Sequence, residues 1–463
     1  MNNQYLSNKC ISTLFFLIAV PMLTFAQNIQ TEKGGEILME KNSASNPCFT
    51  PQQYKLLEKN INDNISRLGI NKAAQKNTSS TLFSWPLKMT NGLNDCSYYY
   101  IAAYLDEDTA TGTIKDYNCG TNTYDTHQGN DIATVPYPFY KMDNNQIEVI
   151  AAAPGTIVSK VDGNFDKNCA GNNLTPNYIV VQHADGSCAL YLHMKKNSLT
   201  AKTVGQTVVT GEFLGIVGSS GSSSAPHLHF EVWSGSTVST LNDAFSGTCN
   251  TRNANSWWAA QKPYTEPAII KAQVNTIAPV FPTCPTTETP NEDSCFTGGT
   301  SVKFYTFYRN ETSGLAATMK ILNPNGTTFS TWTHNSVSTY TNIAYYSIIR
   351  TLPNVAGTYT FESTYNGATC TKTFTVNCAT TGITASKVSE TEQLTIYPNP
   401  VTNILQVISS NLQLTQLQVI DILGNELIQA TIQQGNATID VSNLANGVYF
   451  IKTKQGTQKF MKE

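Results

Sequence analysis

Residues 225–233 read APHLHFEVW. In an extended strand, residues two apart face the same side, so His227, His229 and Glu231 share one face while Leu228 and Phe230 share the other. Polar rings on one side and large apolar groups on the other predict a strand lying between a cleft and a core. Further β-rich runs surround it: IEVIAAA at 147–153, GTIVSKV at 155–161, NYIVVQH at 177–183, CALYLHM at 188–194 and QTVVTGEFLGIVG at 206–218. Glycine, Asn-Asp and Asp-Gly turns separate these runs, and their connections are too short for helical crossovers. The expectation is an antiparallel sheet with long loops.

The chain has six histidines, at 127, 183, 193, 227, 229 and 334. In THQGNDIA, His127 and Asp131 are four apart, and Gly129 with Asn130 argues for a turn feeding a strand. An imidazole nitrogen and a carboxylate oxygen are ligands that Zn2+ accepts. Taken alone, the pair reads more plainly as a turn-capping aspartate beside an exposed histidine. Joined to the histidines of 225–233, it becomes a metal set of His127, Asp131 and one of His227 or His229, with the fourth direction open as in catalytic zinc sites. The spacing leaves open which of the two ligates. The other, with His193 in LYLHMK, is then free to position water, hold negative charge and shuttle a proton.

No HExxH helix occurs, so no glutamate base of that kind is available. Glu231 can hydrogen-bond a ligand as readily as it can act on substrate, and is not assigned as a base. His183, at a strand end before an Asp-Gly turn, reads as structural, and His334 lies in a separate module without partners. GIVGSSG at 215–221 lacks the lysine of a phosphate loop, so nucleotide binding is not expected.

At 463 residues the chain predicts roughly three domains at about 150 residues each. Charged residues make up 13% and the formal net charge is -3, which gives no polybasic surface for nucleic acid or membrane. Lys9, the apolar run from Ile11 to about Phe25 and Thr24-Phe25-Ala26 predict a signal peptide, 1–26. No later run reaches 18 apolar residues, so no stable membrane span is expected. Residues 27–80 read as a pro-region or lid with one helix, Gln52 to Leu68, where Tyr54, Leu57, Ile61 and Ile65 recur at helical spacing. An upstream asparagine or backbone oxygen at the open metal position would make the protein latent, but no residue is singled out.

The further divisions are a β-rich domain at 81–270 that holds five of the six histidines, an Ig-like β-sandwich at 285–378, a linker at 379–391 and a small β-sandwich at 392–463. Of the eleven cysteines, Cys10 leaves with the signal peptide, and the other ten are expected to be bridged within each half. Cys96 with Cys119 and Cys169 with Cys188 are the expected pairs, and a catalytic thiol is not.

The motifs HQGND (127–131), AAAPGTIV (151–158), ALYLHM (189–194) and GIVGSSGSSSAPHLHFEV (215–232) together resemble the M23 zinc metallopeptidases of LytM and lysostaphin type, over about 83–232. The resemblance implies Zn2+ held by His127, Asp131 and His229, with His193 and His227 as catalytic histidines. It implies a secreted endopeptidase that cuts peptidoglycan cross-links or glycine-rich peptides in a groove of an antiparallel sheet. The insertion VPYPFYKMDNN and the loop holding Cys169 are expected to border that groove. LTIYPNPVTNIL at 394–405, VIDILGNEL at 419–427 and the ending LANGVYFIKTKQGTQKFMKE resemble a type IX secretion sorting domain. That implies outer-membrane type IX machinery as a partner and a secreted or cell-surface location reached through the periplasm. The fold class expected overall is all-β dominated. The alternative function is a cell-wall-binding or adhesive protein whose zinc site is vestigial.

Overall fold

The computed structural model describes residues 47–70, 80–281, 288–378 apart from 341, and 394–463 apart from 410–415, 423, 434 and 454–456, together with the backbone of an upstream strand, β1, Gly35–Ile37. The expected signal peptide and the linker 379–391 lie outside the described residues. The chain divides into two compact units, 1–378 and 379–463.

Helix α1 spans Pro51–Arg67 and buries Tyr54, Leu57, Ile61 and Ile65, the residues whose spacing predicts it. Its start is set by a capping box: the Gln53 N–H donates to the Thr50 hydroxyl while the Thr50 N–H donates to the Gln53 side chain. Pro51 in the first turn gives up a hydrogen bond that the helix does not need there.

The strands that follow are β2 (Leu87–Met89), β3 (Tyr99–Ala103), β4 (Asn130–Thr134), β5 (Ile147–Ile150), β6 (Gly155–Val161), β7 (Tyr178–Gln182), β8 (Cys188–Leu192), β9 (Thr207–Val208), β10 (Phe213–Ile216), β11 (His227–Trp233) and β12 (Leu241–Asn242), with a short helix α2 at Pro138–Asp143. The main sheet runs β3-β4-β11-β8-β7-β6-β9 with β12 also on β11, and β10-β5-β2 form a smaller sheet. All the main-sheet pairings are antiparallel. The expected run at 206–218 is two strands, because Thr210-Gly211 turns the chain between β9 and β10.

Strand β11 is buried along its whole length, so both faces of the sheet are covered. Leu228, Phe230 and Val232 join Phe83, Ile132, Tyr191 and Trp258 in one core. On the other face, Val158, Tyr178, Val180, Leu190, Leu192 and Trp233 pack with α1 and with Cys48 and Phe49 just before it.

The second module is a sandwich of two sheets. Its strands are β13 (Ala268–Asn275), β14 (Cys295–Phe296), β15 (Ser301–Arg309), β16 (Ala316–Leu322), β17 (Thr328–Asn335), β18 (Ile343–Thr351), β19 (Gly357–Tyr365) and β20 (Ala368–Val376). They are ordered β1-β18-β15-β13 and β14-β20-β19-β16-β17. The sandwich therefore takes two strands from upstream of residue 285, β1 and β13, with β13 lying before the proline-dense stretch. His334, expected to lack partners, hydrogen-bonds Glu311 at 2.6 Å and stacks on Tyr346.

The sandwich shares a buried cluster with the first module, joining Tyr100, Val135 and Tyr137 to Ile270, Phe307 and Tyr345. The Arg309 guanidinium donates to the Tyr99 carbonyl and the Ser97 hydroxyl across the same junction. The VPYPFYKMDNN insertion packs here: Tyr137 stacks on Phe281, so this segment abuts the sandwich rather than simply bordering a groove. A disulfide, Cys96–Cys370, crosses the junction, and Cys119–Cys249 and Cys295–Cys378 are the other described pairs. Both expected pairings are corrected: Cys119 and Cys96 bond partners 130 and 274 residues away, Cys188 is unbridged, and Cys96–Cys370 joins the two halves that were expected to pair internally. Cys169 is bridged, whereas Cys48 and Cys188 are free and buried.

The second unit contains β21 (Leu394–Tyr397), β22 (Ile404–Ser409), β23 (Gln416–Ile420), β24 (Glu426–Thr431), β25 (Asn436–Asp440), β26 (Gly447–Lys452) and β27 (Thr457–Lys462). Sheets β21-β22-β25 and β24-β23-β26-β27 enclose Val401, Leu405, Val419, Ile439, Ile451 and Phe460. No described helix is long and apolar enough to cross a membrane.

Candidate metal centre

Register builds the site. His229 on β11 stands opposite Asp131 on β4, so the two side chains emerge on the same face. The His229 Nδ1 lies 2.9 Å from the Asp131 Oδ1. His127, in the loop before β4, brings its Nε2 to 3.2 Å from the His229 Nδ1 and 3.2 Å from the Asp131 Oδ1. Gly129 makes room for this approach, since a Cβ there would meet the His229 Nε2 at 2.5 Å.

Each ring is oriented by a partner on its far side. The His127 Nδ1–H donates to the Tyr104 carbonyl at 2.6 Å, and the His229 Nε2–H faces the Glu231 carboxylate at 3.4 Å. These contacts leave one nitrogen of each ring facing the cluster, the arrangement that supporting hydrogen bonds give to metal-ligating histidines. Glu231 also accepts from the Trp233 indole and from the Tyr54 hydroxyl of α1. Its carboxylate is thus committed to support.

His193 follows β8 and its placement breaks strand alternation. Leu192 is opposite His229 and packs on the α1 side, so simple parity would send His193 into the opposite core. A left-handed backbone, φ 67°, returns the ring to the cleft at a cost of about 1–2 kcal/mol. There its Nδ1–H donates to the Ser220 carbonyl at 2.7 Å, and its ring centre is 4.6 Å from that of His227. His227 donates in the same way to the Ala225 carbonyl at 2.8 Å, leaving its Nε2 3.4 Å from the Asp131 Oδ1.

Burial alone would raise the Asp131 pKa, but His127 and His227 beside it hold the carboxyl well below its ordinary value. Burial pushes His193 well down, reinforced by His227 and His229, which favours its neutral imidazole.

The structure therefore brings all five predicted residues together, with His183 apart: its Nδ1–H donates to the Pro154 carbonyl. The loop holding Cys169 does lie by the cluster, through Asn172 hydrogen-bonded to Ser222 and Gly221 near Ser220. Three participants escaped the sequence reading. Tyr124 stacks on His127 and donates to the Asp131 Oδ2 at 3.3 Å. Tyr54 reaches Glu231 from α1, and the Cys48 sulfur lies 3.2 Å from both the His229 Nδ1 and the His193 Nε2. The signal for Cys48 was its position just before an amphipathic helix, which the even cysteine count obscured.

The donor set suits zinc. Imidazole nitrogens and a carboxylate oxygen 2.9–3.2 Å apart are close to the roughly 3.3 Å edge of a tetrahedron with Zn–N and Zn–O bonds near 2.0–2.1 Å.

Residues 126–240 match the family model for peptidase family M23, and residues 395–463 match that for the secretion system C-terminal sorting domain. Cell division protein DipM of Caulobacter vibrioides is 37% identical over 86 residues, which is 18% of this chain and 13% of that protein. The chain thus spans only a small part of that curated relative. Among solved structures, the catalytic domain of lysostaphin from Staphylococcus simulans is 24% identical with a TM-score of 0.21, covering 31% of this chain and 88% of that one. The catalytic domain of a mutant of the prophage-encoded M23 protein EnpA from Enterococcus faecalis is 21% identical with a TM-score of 0.19, covering 33% of this chain and 85% of that one. The chain carries an M23 peptidase domain, followed at its C-terminal end by a secretion sorting domain.

Proposed function

We propose that the protein is an exported zinc-dependent endopeptidase acting on peptidoglycan cross-links or glycine-rich peptides. The observation that supports this most is the convergence of the His127 Nε2, Asp131 Oδ1 and His229 Nδ1 within 3.2 Å of one another. These three would hold Zn2+, which when bound polarises a scissile carbonyl and acidifies water. His193 and His227 present Nε2 atoms to the same cleft, each with its tautomer held by a backbone carbonyl. Their role is to accept a proton from the attacking water, hold negative charge as it develops on the substrate and return a proton to the leaving amine. The Asp131 carboxylate, kept ionised by its histidine neighbours, remains a donor.

In this reading residues 1–26 are a signal peptide, 27–80 a pro-region, 81–270 the peptidase domain and 285–378 the Ig-like sandwich with β13 added from upstream. Residues 392–463 are the address read by type IX machinery, and the mature protein is secreted or held at the cell surface. The test is mass-spectrometric identification of products from defined peptidoglycan and glycine-rich peptides, using protein with and without the N-terminal segment. His229→Ala is expected to abolish every product. Retained binding to walls and proteins with no hydrolysis in any form would favour the adhesive alternative.

A further inference from the structure

His193 carries a left-handed backbone at the end of a regular strand, and a residue with a side chain keeps that conformation only where its surroundings over-determine it. Two fully buried polar residues supply those surroundings. They are Asn177, immediately before β7, and Ser220, in the loop between β10 and β11. Neither belongs to the cluster of five.

The peptide that follows His193 is gripped from both sides. On one side the Met194 N–H donates to the Asn177 carbonyl at 3.1 Å, and the Asn177 side-chain amide donates to the Met194 carbonyl at 3.0 Å. On the other side the Ser220 hydroxyl donates to that same Met194 carbonyl at 2.9 Å, and the Ser220 N–H donates to the His193 carbonyl at 3.4 Å. The Ser220 carbonyl accepts from the His193 ring, as described above. The Asn177 N–H donates to the Ser220 hydroxyl at 2.8 Å, which joins the two sides. Gly218 lets the loop come this near, since a Cβ there would run into the Lys195 nitrogen and the Met194 carbonyl carbon.

The chemistry at this point calls for asparagine. A side-chain amide offers two N–H donors and an acceptor on one plane. One donor goes to the Asn164 carbonyl at 3.0 Å and the acceptor takes the Asn164 N–H at 2.8 Å, which closes the loop ahead of β7. Those two bonds satisfy a loop-closing residue. The second donor leaves the loop and crosses to the residue after His193. An aspartate there would face two carbonyls with no proton to give. Buried and with its amide nitrogen and oxygen both engaged, Asn177 has nothing left to offer substrate or metal. Resting on the zinc-peptidase reading above, we propose that Asn177 is a positioning residue for the reaction. Together with Ser220 it holds His193 in the conformation that turns the Nε2 to the cleft, so proton transfer depends on a side chain that touches neither substrate nor zinc.

The experiment compares wild type, Asn177→Ala and Ser220→Ala as full chains isotope-labelled at the histidine nitrogens, whose magnetic resonance reports each tautomer without turnover. Wild-type His193 and His227 are expected to carry their protons on Nδ1. In Asn177→Ala, His193 should lose its fixed tautomer and show a mixture, while His227, held by the Ala225 carbonyl, keeps its own. Zinc should stay at about one per chain, because no ligand is touched. Cleavage of a glycine-rich peptide, by the full chain and by the chain without the N-terminal segment, should show kcat lowered about a hundredfold with KM unchanged, the loss expected when a reacting group is displaced by about 1 Å. Ser220→Ala removes one bond each from Met194 and Asn177; it should move both readouts the same way to a smaller extent, and it carries the test if Asn177→Ala does not fold. A fixed His193 tautomer and an unchanged kcat in both variants would overturn the proposal. Parallel changes at His193 and His227, or loss of zinc, would also overturn it by making Asn177 a support for the whole site. Wild type that holds no zinc and cuts nothing, with the His193 tautomer still set by Asn177, would instead overturn the peptidase reading on which the catalytic role rests.

Discussion

The two faces of the main sheet are both buried, yet they are closed by different means. One face is sealed by the peptidase module's own residues, with Phe230 packed edge-on against Phe83 and Tyr191. The other is sealed by a helix from the N-terminal segment, and its covering includes hydrogen bonds and a thiol as well as apolar side chains. A face sealed by its own module cannot be opened without unfolding it. A face sealed by a separate segment can be opened by moving that segment, and this is the face that carries the histidines.

The largest stability effect should fall on the permanently closed face. Phe230→Ala is expected to cost about 3–5 kcal/mol, read as a lowered midpoint in denaturant. A cost below about 1 kcal/mol would show that this face is not the core. The junction with the sandwich comes next. There the buried Asp95 carboxylate pairs with Lys141 and with Lys271 of β13. Burial alone would raise its pKa, but the two ammonium groups hold it below the ordinary 3.8. A depressed carboxyl pKa means that the unfolded chain binds the proton first, so this stabilisation is present above 3.8 and fades as pH falls further. Asp95→Asn should lose roughly 3 kcal/mol at neutral pH, with the gap to wild type closing in acid. A gap constant with pH would contradict the pairing.

Leu57→Asp sharpens the contrast between the faces, since it places a charge where α1 meets the groove. It should weaken docking by roughly 2–3 kcal/mol, seen as faster amide exchange in 51–67 with the Phe230 core still protected. Simultaneous loss of protection in both regions would mean that α1 is part of one indivisible core. The smallest effect is expected from Thr50→Ala, which removes the capping hydroxyl and should cost about 1 kcal/mol in the same exchange measurement.

Much of this was legible in advance, for reasons visible in particular residues. The buried face of α1 follows from spacings of three and four, and the two faces of β11 follow from a period of two. His127, Asp131 and the pair His227 and His229 were readable as a cluster because they lie on a turn and on a strand with a period of two, but that alternation puts both histidines on one face and the preference for His229 came only from the resemblance. His193 was found through its motif, but its direction was not readable, because one left-handed residue reverses the face that parity assigns. Strand β13 was misallocated because proline density marks irregular chain, and here the irregular stretch follows the first strand of the sandwich. The cysteines were the least legible: the described pairs span 83, 130 and 274 residues, and a count that happens to be even does not say that every thiol is bridged. Cys48 was hidden by that assumption.

Zinc content, measured with cleavage across single substitutions of the five clustered residues, is the most direct test of the metal site. Wild type should hold about one zinc per chain, the count that a single tetrahedral site allows. His127→Ala, Asp131→Ala and His229→Ala should each lose the metal. His193→Ala and His227→Ala should keep it and, once the N-terminal segment is removed, still fail to cleave. Full zinc occupancy in all three of the first group would contradict the account.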